Sequence, residues 1–213
     1  MALNLSADKA LVFRITHRDN VPWILNNGLH CRNSGVLDPG YVTIGNVELI
    51  DKRHGHPVSC PPGGSLGDYV PFYFTPCSMM LFNIVTGWKG LRQRAREEIV
   101  ILVSSLHKIG ELQIPYVFTD RHALLVDASY SSDLAELAQL DWARWRNRDF
   151  RHDPENPEKV AKYQAEALIY SSLPTIGLLG IACYNDGIAV AIGESVAKRG
   201  LNLKVAAQPK WFM

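Results

Sequence analysis

Glu98-Ile99-Val100-Ile101-Leu102-Val103-Ser104-Ser105-Leu106 is the stretch on which the reading of the fold turns. Its β-branched residues mark a strand, and Ile114-Pro115-Tyr116-Val117-Phe118-Thr119-Asp120 follows as another. Working outward, strand signals recur upstream at Val12–His17 and at Tyr69–Pro76, and downstream at Tyr163–Tyr170, in GLLGIACYN and in LKVAAQ. Helical spacing falls between them in fewer places: Asn20–Asn27, capped by Asp19 and stopped by Gly28; SMMLFNIV; Leu134–Trp145; and IAVAIGESVAKRG. Residues 31 to 68 read mostly as loop, with a short helical piece near GNVELIDKR. A loop region this long in a compact domain is more often functional than idle. Strands outnumber helices and do not alternate with them regularly. The expected fold is α+β with a mostly antiparallel or mixed sheet, not a doubly wound nucleotide fold. No internal repeat divides residues 1–213, which read as one domain.

Composition narrows the function. Twenty-two Lys+Arg against 21 Asp+Glu leave a net charge of +1, which excludes a chain that coats nucleic acid by bulk charge. At 47% hydrophobic residues the chain can bury a core. No apolar run reaches the ~18 residues that span a bilayer, and the N-terminal residues lack a signal peptide's order, so a cytoplasmic address and no membrane partner are expected. Cys31, Cys60, Cys77 and Cys183 form no CxxC pair and read as reduced. His54-Gly55-His56 would point both imidazoles one way on a strand, but no second pair accompanies it, so no metal is expected. Neither the dinucleotide fingerprint, the P-loop, the serine elbow nor HExxH is present. Gly63-Gly64-Ser65-Leu66-Gly67 follows two prolines and reads as a turn.

Three features could carry chemistry, each with an ordinary alternative. Thr16-His17 ends a strand and runs into Arg18-Asp19-Asn20, where exposed amides could grip an amide or a phosphate; the alternative is a simple cap with a surface histidine. Arg53, inside Asp51–His56, could pair a pyrophosphate bidentately, or belong to a solvated charge run. Glu166, flanked by alanines, would share a strand face with Gln164 and Leu168. Such a carboxylate is costly to bury unless paired, and otherwise keeps its head in water at a strand edge. Two basic tracts speak of partners. Residues 88–96 carry net +4, and residues 144–151, with Arg144, Arg146, Arg148 and Arg151 against Asp149, carry net +3. Arginines interleaved with aromatics suit single-stranded nucleic acid, or else snorkel over Trp142 and Trp145 at a helix end.

Taken in order, Phe13–Asn20, Pro62-Gly63-Gly64 with Asp68–Phe74, Val117–His122 and Tyr163–Ala167 resemble the DarT family of bacterial DNA ADP-ribosyltransferase toxins. The resemblance runs from about residue 10 to Lys210-Trp211-Phe212. It implies an ADP-ribosyltransferase-like split mixed β-sheet with flanking helices and a long loop covering NAD+. The implied reaction is transfer of ADP-ribose from NAD+ to a base, usually thymine, of single-stranded DNA, which blocks replication. By position, Arg14, Ile15 and Thr16 would hold the nicotinamide end, with His17 and Trp23 close by, and Tyr73 would line the cleft. The loop from about Gly35 to His56 would fold over NAD+ and carry catalytic Arg53. His122 would open a substrate-recognition loop that runs to Glu166, the catalytic glutamate, and contains Arg144, Arg146, Arg148 and Arg151. A macrodomain antitoxin is the implied protein partner.

The chemistry suits these residue types. Breaking the ribose–nicotinamide bond gives an oxocarbenium-like transition state, and a carboxylate on the ribose 2′-hydroxyl stabilises it. The family account has Arg53 take the proton of the attacking base. A guanidinium pKa above ~12 suits a phosphate clamp or a stabiliser of the deprotonated base equally well. Transfer to guanine or to RNA is the competing activity. A non-catalytic single-strand-binding module is the competing class, although binding alone would not need Glu166.

Overall fold

A computed structural model describes residues 3–212; Met1, Ala2 and Met213 of the expected 1–213 domain lie outside the described residues, as does the Lys89 side chain of the first basic tract. Among the described residues ten strands and seven α-helices follow in chain order, joined by short 3-10 turns. The first part runs β1 (Leu11–His17), α1 (Val21–Asn27), β2 (Leu29–His30), α2 (Val47–His54), β3 (Tyr69–Tyr73) and α3 (Met79–Thr86). The middle runs β4 (Ile99–Ser105), α4 (Leu106–Glu111), β5 (Tyr116–Thr119), β6 (Tyr130–Ser131), α5 (Trp142–Asn147) and α6 (Lys159–Tyr163). The last part is β7 (Glu166–Tyr170), β8 (Ser172–Leu173), β9 (Gly180–Cys183), α7 (Asp186–Ala197) and β10 (Lys204–Ala207).

Eight strands form one sheet in the order β10-β9-β4-β1-β3-β7-β5-β6, while β2 and β8 pair separately. Every neighbouring pair of the large sheet is antiparallel except β10 with β9, so the sheet is mixed, as expected. The strands nearest the middle read as near-continuous apolar runs because both faces are covered: in β4 all but Val103 are buried. The sheet is pinched at one place. β1 and β4 pair along seven residues, but β1 meets β3 at the single pair Phe13↔Tyr73. Four strands separate from the other four there.

Several local readings change on folding. Tyr163-Gln164-Ala165 is not strand: Tyr163 ends α6, Gln164 caps it, and the strand starts at Glu166. Leu134–Trp145 is not one helix but a 3-10 stretch (Leu134–Gln139) followed by α5, because Asp141 accepts from Arg144 N at 3.1 Å and caps a new helix. Asp19 does not cap; its own N–H donates to His17 Nδ1 at 3.2 Å. His54 ends α2, so His54 and His56 do not lie on a strand. Gly28, at φ +80°, is required where α1 turns into β2, since a Cβ there would sit 2.7 Å from Leu173 O.

Candidate active site

Glu166 is the first residue of β7 and stands opposite Tyr73 across the ladder, beside the pinch. Its backbone N–H donates to Thr119 Oγ1 at 3.0 Å, at the end of β5. The side chain is 2% exposed, and three nitrogen atoms stand against its two oxygens. Arg53 Nη1 donates to Oε1 at 3.0 Å, Arg53 Nη2 lies 2.8 Å from Oε2, and Ala123 N donates to Oε1 at 3.2 Å. Burial pushes the carboxyl pKa up, but the Arg53 charge, His122 and these hydrogen bonds outweigh it and hold Glu166 below the usual carboxylate range. The same pairing outweighs desolvation at Arg53 and raises its pKa above the ordinary arginine value.

Arg53 reaches this carboxylate from 113 residues away, on a helix that buries none of its own residues. α2 is made by its ends. Asn46 Oδ1 accepts from Leu49 N at 3.1 Å, Glu48 sits in the first turn, and Lys52, Arg53 and His54 sit in the last, all in accord with the helix dipole. Its C-terminal end is seated on the 3-10 turn before β3. A Cβ at Gly67 would come within 2.8 Å of His54 O, so only glycine lets that end pack so closely. Arg53 is therefore no member of a solvated run, although Asp51, Lys52 and His54 beside it are exposed. Glu166 likewise is no edge residue with its head in water.

The other side of the cleft is the end of β1. Arg14 Nη1 crosses the pinch to donate to Pro71 O at 2.8 Å, and its Nε is buried without a partner among the described residues. Ile15 is half-buried and Thr16 buried. His17 is 5% exposed, so it is not a surface histidine; its Nδ1 accepts from Asp19 N, and its Nε2 lies 3.5 Å from Glu98 Oε1. Tyr73 has its hydroxyl pKa raised by burial and by Glu166, so it stays a neutral donor. Trp23, on α1, is half-buried and meets His30 edge-on at 5.8 Å; none of the contacts above includes it.

His122 opens the segment that ends at Glu166. Leu124 N donates to its Nδ1 at 3.2 Å, so the neutral ring carries its proton on Nε2. Burial lowers its pKa against the pull of Glu166, which keeps that neutral form. Tyr130 belongs to the site but was not singled out in sequence. Its hydroxyl donates to Ala123 O at 2.6 Å and is pushed up to about 12 by burial and Glu166. Ala123 thus meets Glu166 with its N–H and Tyr130 with its carbonyl. Thr119 was missed as well; no local motif marks either residue. The turn is braced by Arg121, which pairs with Asp120 at 3.1 Å, with Asp127, and with Glu158 at 3.8 Å.

The arginine tract divides. Trp142 and Trp145 are buried, and Trp145 stacks on Phe74 at 5.1 Å, so neither offers a face to a base. Arg144 pairs with Asp141 and donates to Lys159 O at 3.1 Å, and Arg146 donates to Leu5 O at 2.9 Å. Arg151 is exposed, and Arg148 caps α5 at φ +54°. In the other tract Arg94 is held by Glu98 at 3.0 Å, while Trp88 is 57% exposed.

Comparison with known proteins bears on all of this. Residues 13–213 match the family model described as DarT, ssDNA thymidine ADP-ribosyltransferase. A DNA ADP-ribosyl transferase of Escherichia coli O127:H6 is 48% identical over 209 residues, covering 98% of this chain and 96% of that protein. Two solved structures of Thermus sp. 2.9 DarT, each 32% identical, superpose closely. The complex with ADP-ribosylated ssDNA gives a TM-score of 0.86 over 100% of both chains, and the complex with NAD+ gives 0.82 over 97% and 98%.

Proposed function

Given that the chain belongs to the DarT family of ssDNA thymidine ADP-ribosyltransferases, we propose that the Arg53–Glu166 pair at the pinch of the sheet is its catalytic centre. The protein is an enzyme whose substrates are NAD+ and single-stranded DNA. The observation that carries the assignment of residues is the buried pairing of two groups 113 residues apart, one hydrogen bond from Arg53 Nη1 and a 2.8 Å ion-pair contact from Nη2, beside two buried donors without a hydrogen-bond partner among the described residues, Arg53 Nη2 itself and Arg14 Nε.

A carboxylate accepts about four hydrogen bonds. Arg53 and Ala123 account for three contacts on Glu166, which leaves room on Oε2 for the ribose 2′-hydroxyl. Held there, the negative charge stabilises the oxocarbenium character that grows as the bond from C1′ to nicotinamide breaks. Nicotinamide leaves neutral and needs no strong acid. The incoming thymine nitrogen forms the new bond to C1′ and gives up its proton to water. Arg53 is not the base in this reading, because Glu166 raises its pKa further. It stabilises the anionic base as an electrostatic clamp. His122, with its proton on Nε2, supplies a second donor to that base.

Arg14, Ile15, Thr16 and His17 hold the nicotinamide end, with Trp23 near by and Tyr73 lining the cleft; residues 35–56 cover NAD+. Arg148 and Arg151 contact the strand, whereas Arg144 and Arg146 brace the loop that presents it. Residues 1–213 act as one domain in the cytoplasm, as a toxin countered by a macrodomain antitoxin. No helix among the described residues is long and apolar enough to cross a membrane. The test is incubation with NAD+ and short oligonucleotides, each lacking one base type. A mass gain of one ADP-ribose is expected on thymine-containing DNA alone, and none with Glu166→Gln. A gain on RNA or on thymine-free DNA overturns the choice of target.

A further inference from the structure

We propose that Asn20 is the positioning residue that latches the cleft-covering loop to the sheet and thereby sets the affinity for NAD+. The inference rests on the reading that residues 35–56 fold over NAD+. Asn20 stands at the N-cap of α1, where an asparagine side chain ordinarily accepts from a helix amide. Here it makes no capping bond. Its Nδ2 donates to Thr16 Oγ1 and to Val42 O, both at 3.0 Å, and its Oδ1 accepts from Val42 N at 2.8 Å. The amide therefore grips both backbone groups of one loop residue, as a neighbouring strand would, while its second donor reaches the strand end that faces the nicotinamide.

Burial makes this grip count. Asn20 is 0% exposed, so losing the partners would strand polar groups away from water. The loop has little else to hold it. Val36, Leu37 and Tyr41 are exposed, and the hydrogen bonds of residues 36–41 are local: Val36 N to Ser34 Oγ, Gly40 N to Asp38 Oδ1, and Tyr41 N to Asp38 O. Among the described residues, the Asn20–Val42 pair is the hydrogen-bonded tie from residues 35–45 to the scaffold. Ile44 and Gly45 then pack inward and lead into α2, which carries Arg53.

Steady-state kinetics test the latch. Asn20→Ala should raise KM for NAD+ about tenfold, the effect of one or two lost net hydrogen bonds, with kcat at saturating NAD+ and KM for DNA within about twofold of the parent. Proteinase K should cut the ligand-free variant within residues 35–45 faster than the parent. Asn20→Asp keeps the acceptor for Val42 N–H but sets a carboxylate against Val42 O. Its KM for NAD+, relative to the parent at each pH, should be high near about pH 8. It should recover toward about pH 5.5, where the buried acid is protonated and donates again. A side chain that served only folding would not follow that pH course. Unchanged proteolysis together with unchanged KM in Asn20→Ala overturns the latch. Faster proteolysis with unchanged KM overturns the reading that the loop covers NAD+, and with it the effect on affinity. Should Asn20→Ala fail to fold, the Asn20→Asp profile decides, and absence of recovery at low pH overturns the proposal.

Discussion

Arg53 and Arg144 keep the same share of side chain exposed, 15%, and each faces a carboxylate at 2.8 to 3.0 Å, yet the two pairs are of different kinds. Arg144 meets Asp141 three residues back on the same helical turn, and that acid is 44% exposed. Arg53 meets Glu166 across the fold, and that acid is 2% exposed. The first pair is screened by water and contributes little, so it reads as a brace. The second holds a desolvated carboxylate that would be costly without its partner and gains nothing a hydrophobic pair could not supply. Exposure of the arginine does not separate them. Burial of the acid, and the distance along the chain over which the fold has gathered the pair, does.

The widest gap should appear in the rate. Glu166→Gln keeps the shape and removes the charge, and single-turnover transfer should fall at least about a thousandfold, the scale set by deleting an electrostatic stabiliser of the transition state. Asp141→Asn should leave that rate unchanged; an equal loss in both would erase the distinction. Stability gives the next contrast. Arg53→Met leaves Glu166 buried and unpaired and should cost about 3 kcal/mol in denaturant unfolding, against about 1 kcal/mol or less for Arg144→Met. Adding Glu166→Gln to Arg53→Met should restore most of that loss, because the stranded charge is gone.

Acid titration sharpens the same point through its sign. In the parent, Glu166 has its pKa lowered from 4.5, so the folded state binds fewer protons than the unfolded chain as pH falls. Its contribution is complete above the unfolded value and is lost as pH drops through the folded one. In Arg53→Met burial is opposed only by His122 and the Ala123 N–H, the folded pKa rises, and stability should increase on acidification relative to the parent. Asp68 and Glu98 are also lowered and titrate in both proteins, so they cancel in the difference between the two unfolding curves, which reports Glu166 together with His122, whose pKa Arg53 also lowers. Identical curves would mean that the pair is not coupled in solution.

What could be read beforehand follows from how local its cause is. β1, β3, β4 and β9 were legible because apolar and β-branched runs specify a strand covered on both faces. Tyr163-Gln164-Ala165 misled because its alternation fits a strand, while α6, at five residues, is too short to show a helical period. Leu134–Trp145 misled the other way, since helical spacing continues across a break that Asp141 imposes. Arg53 and Glu166 stood out as residue types, but nothing nearby announces their pairing. The Asn20–Val42 latch was hidden for the same reason: asparagine before a helix reads as a cap, and only the fold shows its side chain turned elsewhere.

The smallest effect concerns DNA and tests whether the arginine tract divides as its contacts indicate. An arginine on a phosphate releases counterions on binding, so each such contact adds about 0.7 to the slope of log K against log salt for a single strand. Arg151 is exposed and Arg148 ends α5 with no ion pair among the described residues, so each alanine variant should lower the slope by about that amount and weaken binding several-fold. Arg144→Ala should leave the slope unchanged, since its guanidinium is already committed to Asp141 and Lys159 O. Any weakening it causes should be equal at all salt concentrations, as expected of a loop that presents the strand less well. Filter binding of a thymine-containing oligonucleotide across a salt series reads both quantities. A reduced slope for Arg144→Ala would place that arginine on the phosphates and move it from the brace to the interface.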